Sequence, residues 1–402
     1  MTKQTGEVVV DGVVMEKSPG RPINRVPSPP AVTEPHVDTG GGPRPKPTCV
    51  LVLQGGGAMA AYHIGAYQAL REAAFDPDWV CGISMGAING AIIAGNAPEA
   101  RLEKLDAFWE TISRPSVLPE FGGTRMRRWE HRFNYAMALT LGQPGFFTPR
   151  PIDPYFAAPG IPATSFYDTD ALHETLTHAV DFDRLNNGET RFSVGATDVE
   201  TGKLIFFDTQ RMAGRLGPVH VVASGSLPPG FPPTLIDGKY YWDGGCVSNS
   251  PLEAVRDDTP AGHAVVFVID LWSGSGSAPD TMIAVDWRAK QIRYASNTPT
   301  HVDALATKVN LRRALHLLEA PADKAPPQRL DIVHIVYHPD EDQIPASDAE
   351  FSRGSIAARR AAGLADMRRA LAEQPWHRLP NVPNLGCMVH RVNAGTVDTL
   401  VA

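Results

Sequence analysis

Cysteine is scarce in this chain. Only Cys49, Cys81, Cys246 and Cys387 occur in 402 residues, scattered and without a CxxC pair. That spacing excludes a zinc ribbon and a dense disulfide framework, and it favours a reducing compartment. Long apolar runs are missing as well. No stretch of about 18 residues stays apolar without interruption, so no transmembrane helix is expected. The opening "MTKQTGEVVVDGVVMEK" lacks the apolar core of a signal peptide. These absences predict a cytoplasmic protein, with room for peripheral contact with membranes or lipid particles. Positive charge is also short: 37 Lys and Arg stand against 44 Asp and Glu, a net charge of -7. Nucleic-acid affinity rests largely on phosphate neutralisation, so no nucleic-acid partner is expected. Thirteen histidines form no H-E-x-x-H pattern, and neither a metal nor a cofactor is expected.

What is present reads as a globular chain with a tail. It is 43% hydrophobic and 20% charged, enough for a sizeable core. Residues 1–47 are dense in proline ("SPGRPINRVPSPPAVTEPHVDTGGGPRPKP") and poor in large apolar side chains. Such a segment buries too little surface to offset its ordering entropy and is expected to be disordered, apart from a small hairpin around Asp11-Gly12. From Cys49 the pattern changes. "CVLVLQ", "DWVCGIS" and "AVVFVIDLW" are apolar on both faces, and helix-like stretches alternate with them. "TRFSVGATDVETGKLIFFDT" reads as a hairpin around Glu200-Thr201-Gly202. This predicts an α/β domain over residues 48–272, with a mostly parallel sheet covered by helices. Residues 273–402 read as a mainly helical C-terminal extension. Its helices are expected over Met282–Ser296, Val302–Glu319 and Phe351–Leu371, with one strand in "LDIVHIVYH".

Three motifs carry chemistry. Gly55, Gly56 and Gly57 join the first strand to a helix. No Lys-Ser or Lys-Thr follows, as a P-loop requires, and the second strand ends without the acidic residue of a dinucleotide site. Consecutive glycine N–H groups at the mouth of a helix suit a developing oxyanion better. Gly82-Ile83-Ser84-Met85-Gly86 is a G-x-S-x-G at a strand-to-helix turn, which would expose Ser84 at a helix N-terminus. Asp243-Gly244-Gly245 follows an aromatic strand end and offers a carboxylate on a tight turn. By itself that tripeptide is also an ordinary hairpin turn.

In this order, the GGG loop, the serine elbow and the D-G-G resemble the patatin-like phospholipases. The resemblance continues through "FFDT", "ASGSLPPGFPP" and "DGGCVSNSPL" and covers Cys49 to Trp272. More loosely, "FSRGSIAARRAAGLADMRRAL" resembles a C-terminal domain of unknown function fused to some bacterial members. The resemblance implies a three-layer α/β sandwich and a Ser-Asp dyad without histidine. Ser84 would be the nucleophile, Asp243 the general base, and the backbone of Gly55, Gly56 and Gly57 the oxyanion hole, acting on lipid acyl esters. One departure stands out. Many members place Arg or Lys two residues after the triple glycine and then a glycine, where this chain has Met59 and Ala60.

Rival readings are an esterase or thioesterase for other acyl or hydroxyacyl substrates, and a catalytically silent lipid-binding or scaffold protein. His263 or His390 would complete an ordinary Ser-Asp-His triad, whereas His63 is expected to be structural. Cys81 and Cys246 flank the two catalytic motifs and read as packing residues, with a disulfide as the rival reading. "TRMRRWEHRFNYAM" mixes Arg125, Arg127, Arg128 and Arg132 with Trp129, Phe133 and Tyr135. It reads either as a cover for the site that meets anionic lipid, or as a solvated helix with its aromatics in the core. Nothing in the sequence sets an oligomeric state.

Overall fold

The computed structural model describes residues 46–115, 124–157, 163–295, 297–319, 328–339, 347–377, 385–392 and 396–400. The expected disordered tail and its Asp11-Gly12 hairpin lie outside the described residues. The strands are β1 (Thr48–Leu53), β2 (Trp79–Ile83), β3 (Thr148–Pro149), β4 (Tyr167–Asp168), β5 (Arg191–Asp198), β6 (Leu204–Asp208), β7 (Thr234–Ile236), β8 (Lys239–Asp243), β9 (Gly262–Asp270), β10 (Gln328–Val336), β11 (Cys387–Val392) and β12 (Val397–Leu400). The helices are α1 (Tyr62–Glu72), α2 (Met85–Ala94), α3 (Arg101–Thr111), α4 (Thr124–Leu141), α5 (Asp170–Ala179), α6 (Phe182–Asn187), α7 (Pro218–Gly225), α8 (Leu252–Asp257), α9 (Met282–Ala295), α10 (Asn297–Glu319) and α11 (Arg353–Glu373).

Ten strands form the central sheet in the order β12-β11-β10-β9-β1-β2-β5-β8-β7, with β6 on β5. The six strands from β11 to β5 run parallel. The antiparallel pairs are at the margins, β12 on one side and β6, β8 and β7 on the other. The apolar runs of β1 and β9 follow from their central position. Cys49, Leu51 and Leu53 face one core with Val265, Phe267 and Ile269. Val50 and Val52 face a second core with Ala264, Val266 and Val268. Strands covered on both faces need apolar residues at every position. On the first face lie α1, α2, α3 and α11; on the second lie α8 and α10. The architecture is therefore a three-layer α/β sandwich with a mostly parallel centre. All four cysteines are free, with Cys81 in the second core and Cys246 exposed.

The C-terminal residues are built into this sheet. The single strand expected in the extension is β10, and β11 continues the sheet beyond it with β12 at the edge. The described residues show no division near residue 272. Helix α11 crosses α1 at backbone contact. A Cβ on Gly65 would lie 1.8 Å from the carbonyl oxygen of Arg360, and one on Gly363 would lie 2.0 Å from that of Tyr62. Around the crossing, Tyr62 donates to Asp366 at 2.7 Å and Arg360 reaches Asp106 at 2.6 Å.

Because both crossing glycines abut backbone rather than flexible side chains, neither position has room for a methyl group. Gly65→Val and Gly363→Val are each expected to destabilise the fold by about 3 kcal/mol or more. Urea unfolding of each variant checks this. Stability within about 0.5 kcal/mol of wild type, the range of a neutral surface substitution, would refute this seating of α11.

Candidate active site

Strand register brings the motifs together. β1 leads outward through α1 to β2, and β9 leads the other way to β10, so a crevice opens at the carboxyl ends of the central strands. Leu53 pairs with Gly82, which sets Gly55 beside Ser84. The Ser84 Cβ lies only 2.9 Å from where a Gly55 Cβ would be. Ser84 is the N-cap of α2, with φ 56° and ψ −129°. A non-glycine residue at positive φ stores on the order of 1–3 kcal/mol of strain. The flanking glycines allow the turn to sit tight: a Cβ on Gly86 would lie 2.3 Å from the Leu53 carbonyl oxygen, and one on Gly82 would lie 2.4 Å from that of Gly86. The Ser84 N–H donates to Ser224 Oγ at 2.9 Å, and that hydroxyl donates to the Gly195 carbonyl at 2.6 Å. Here α7 braces the elbow.

Asp243 arrives from the antiparallel side of the sheet, where β8 pairs with β5 through Ala196 and Asp243. Its N–H donates to the Ser226 carbonyl at 2.9 Å, and its own carbonyl accepts from Thr197 Oγ1 at 2.9 Å. The carboxylate accepts from the Gly245 N–H at 2.7 Å and interacts with the Ser84 hydroxyl. It is 2% exposed. Burial pushes its pKa up to about 7, against the opposing pull of the Ser84 and Gly245 hydrogen bonds. A carboxylate at that value is a competent proton acceptor near neutrality.

The glycine loop departs from expectation in one respect. Gly55 does not offer its N–H to the site, because that group donates to the Asn249 carbonyl at 3.2 Å. The Gly55 carbonyl accepts from Asn249 Nδ2 and from Trp272 Nε1, each at 2.8 Å. The peptide is thereby fixed, leaving Gly56 and Gly57 as the N–H donors of the triplet. Gln54 secures the next layer. Its Oε1 accepts from the Leu271 N–H at 2.6 Å, and its Nε2 donates to the Tyr294 carbonyl at 3.2 Å. Motif reading missed Asn249, Trp272 and Gln54. Their partners are about 200 residues away in sequence, and only the "SNS" after the D-G-G hinted at one of them.

A cavity of about 530 Å³ opens over Ser84, within the range of small-molecule sites. Phe146, Phe147, Phe231 and Phe351 build its apolar wall, with Tyr167 and Leu139 beside them. The Phe147 and Phe231 rings pack at 5.3 Å, tilted by 53°. Asp286, Lys290, Arg293 and Tyr294 of α9, with Asp348, close another side. Among the described residues no histidine lines this cavity or the small compartment around Asp243. His263 and His390 instead bond the two oxygens of Asp331, at 2.8 and 2.9 Å. Because Asp331 pairs with Val265 early in β9, this cluster lies toward the amino ends of the strands. His63 is buried beside Asn89, and desolvation drives its pKa down to about 3. On α4 the aromatics are not core: Trp129 is 57% exposed and stacks on Phe133, while His131 and Asn134 are buried.

A relative is the "Lysophospholipase NTE1" of Yarrowia lipolytica, 26% identical over 231 residues, which are 57% of this chain and 13% of the relative. An "Uncharacterized NTE family protein" of Mycobacterium tuberculosis is 24% identical over 252 residues, 62% of this chain and 57% of that one. The chain therefore spans about an eighth of the fungal relative and little over half of the mycobacterial one. Among solved structures, VipD from Legionella pneumophila aligns over 80% of this chain and 67% of its own, at 15% identity and a TM-score of 0.32. Residues 292–382 match a family described as "Patatin phospholipase". Residues 51–256, just over half of the chain, match the family described as "Patatin-like phospholipase", and the protein belongs to the patatin-like phospholipase family.

Proposed function

We propose that the protein is a serine acyl hydrolase of lipid esters, working through a Ser84-Asp243 dyad. The observation that carries this reading is a buried carboxylate with a near-neutral pKa, interacting with the hydroxyl of a serine on a strained elbow. Asp243 takes the Ser84 proton as Oγ attacks the ester carbonyl. The resulting oxyanion is stabilised by the N–H groups of Gly56 and Gly57 and by the N-terminus of α2. Protonated Asp243 then gives its proton to the departing alcohol, leaving an acyl group on Ser84. Asp243 next takes a proton from water, whose hydroxide equivalent attacks the acyl carbonyl. Collapse frees the carboxylic acid and returns the proton to Ser84. The aromatic wall of the cavity suits an acyl chain, which supports a lipid ester over a polar substrate. We place this activity in the cytoplasm, at the periphery of lipid. The scarcity and scattered spacing of cysteine in the sequence support a reducing setting.

A fluorophosphonate probe is expected to label the wild type and not Ser84→Ala. Asp243→Asn should label at least about a thousandfold more slowly, as when one member of a catalytic unit is removed. A folded wild type that takes no label would favour the catalytically silent alternative.

The dyad also predicts a pH profile. Since Asp243 acts as a base only when ionised, kcat/KM for a soluble ester should rise with pH through an inflection near 7. Stability should move the opposite way. With a folded pKa above the unfolded value of about 3.9, the native state holds the extra proton between about pH 4 and 7, so this group's contribution to stability falls as pH rises through that window. A displacement of that size is worth on the order of 4 kcal/mol. Asp243→Asn should therefore melt above the wild type at pH 8, with the gap closing toward pH 4. Parallel melting temperatures at both pH values would contradict a strongly desolvated carboxylate.

A further inference from the structure

Met59, two residues after the triple glycine, is uncharged and buried in the core at 2% exposure. Cations reach the cavity from another direction. Lys290 and Arg293 of α9, outside residues 51–256, line the same cavity as Gly57 and Ser84. Lys290 also borders the small compartment that holds Gly56, Ser84 and Asp243. Their placement is firm, since α9 is tied down just beyond them. The Tyr294 carbonyl accepts from Gln54, and its ring lies 5.1 Å from that of Trp272, whose indole N–H holds the Gly55 carbonyl.

We propose that Lys290 and Arg293 form an anion subsite that binds the phosphate of a lipid substrate while its ester carbonyl sits at Ser84. This rests on the acyl-hydrolase reading above and names the residues that recognise the part of the substrate beyond the ester. Two like charges three residues apart on a helix repel each other. Asp348 compensates only Lys290, with which it forms an ion pair, and Arg293 makes no ion pair among the described residues. The Lys290 ammonium has three donors, so it can keep Asp348 and still bind an incoming oxygen. The Arg293 guanidinium presents a fork suited to phosphate. A phosphate has enough oxygens to bridge both, which a neutral glyceride lacks. Asp286 lines the cavity one turn earlier on α9. The helix face is therefore mixed in charge, and it suits one localised anion rather than a broad negative surface. Phe146, Phe147 and Phe231 line the same cavity and suit the acyl chain.

The test measures binding in the Ser84→Ala background, by Trp fluorescence or calorimetry. Lysophosphatidic acid is compared with a monoacylglycerol of the same acyl chain. The phosphate-bearing lipid is expected to bind at least about tenfold more tightly, the size of one charge-assisted hydrogen bond. Arg293→Gln, which breaks no ion pair, should remove about tenfold of that preference. Lys290→Gln combined with Asp348→Asn, which keeps the charge balanced, should do the same. Arg312→Gln, exposed on α10, serves as the charge-matched control and should keep the preference. Equal affinity for the two lipids, or a preference that survives both α9 variants, overturns the proposal. Glycerol 3-phosphate competing as strongly as the lipid also overturns it, since the ligand would then be a free phosphate ester. Turnover of a neutral ester by the Ser84-intact protein reports separately on the hydrolase reading, so the two failures stay distinct.

Discussion

Gly55 is held through both of its backbone groups: its N–H by the Asn249 carbonyl, and its C=O by the Asn249 amide and the Trp272 indole. Asn249 belongs to the turn after Asp243, and Trp272 to the segment after β9. One residue thus ties the glycine loop, at a point beside Ser84, to two segments that lie roughly 200 residues further along the chain. A flexible triple-glycine loop would otherwise lose its donors to conformational averaging, since glycine has the most backbone freedom to lose. With the first glycine fixed on both sides, the next two are restrained, and electrostatic stabilisation of an oxyanion depends on donors that are already in place.

Around that anchor the fold sustains two unfavourable features. Ser84 keeps a positive φ, and Asp243 keeps a carboxyl group out of water. Each costs free energy in isolation. Each persists because the elements carrying it are over-determined: α2 packs against β2 at Gly82 and against the end of β1 at Gly86, α7 braces the elbow through Ser224, and β8 is paired on β5. Strain and desolvation at a rigid site supply what the proposed chemistry needs, an exposed hydroxyl and a carboxylate basic enough to accept a proton near neutral pH.

The C-terminal residues belong to this scheme rather than beside it. β10 and β11 extend the parallel sheet, and α11 meets α1 at backbone contact. Phe351 and the α9 face complete the cavity walls. A catalytic domain ending at residue 272 would lack one side of its cavity and the covering of β9.

Much of this was legible in the sequence because it is local. Apolar runs at β1, β2 and β9 mark strands buried on both faces. The G-x-S-x-G needs its glycines for a tight strand-to-helix turn, and the D-G-G marks a carboxylate on a turn. These follow from backbone sterics and side-chain hydrophobicity within a few residues. The sequence also showed that the charges and histidines of this chain form no metal or nucleic-acid pattern. Tertiary structure alone decided the rest. That Gly55 spends its N–H on the Asn249 carbonyl, and is not available with Gly56 and Gly57, depends on a contact 194 residues apart. That His263 and His390 serve Asp331 depends on which strands are neighbours. That Trp129 and Phe133 face outward while His131 turns inward depends on what α4 packs against. That β11 joins the sheet, and that α9 brings Lys290 to the cavity, depends on where the chain returns. Local periodicity encodes what an element buries, but not which element it meets. That choice is made by packing and hydrogen-bond satisfaction over the whole molecule.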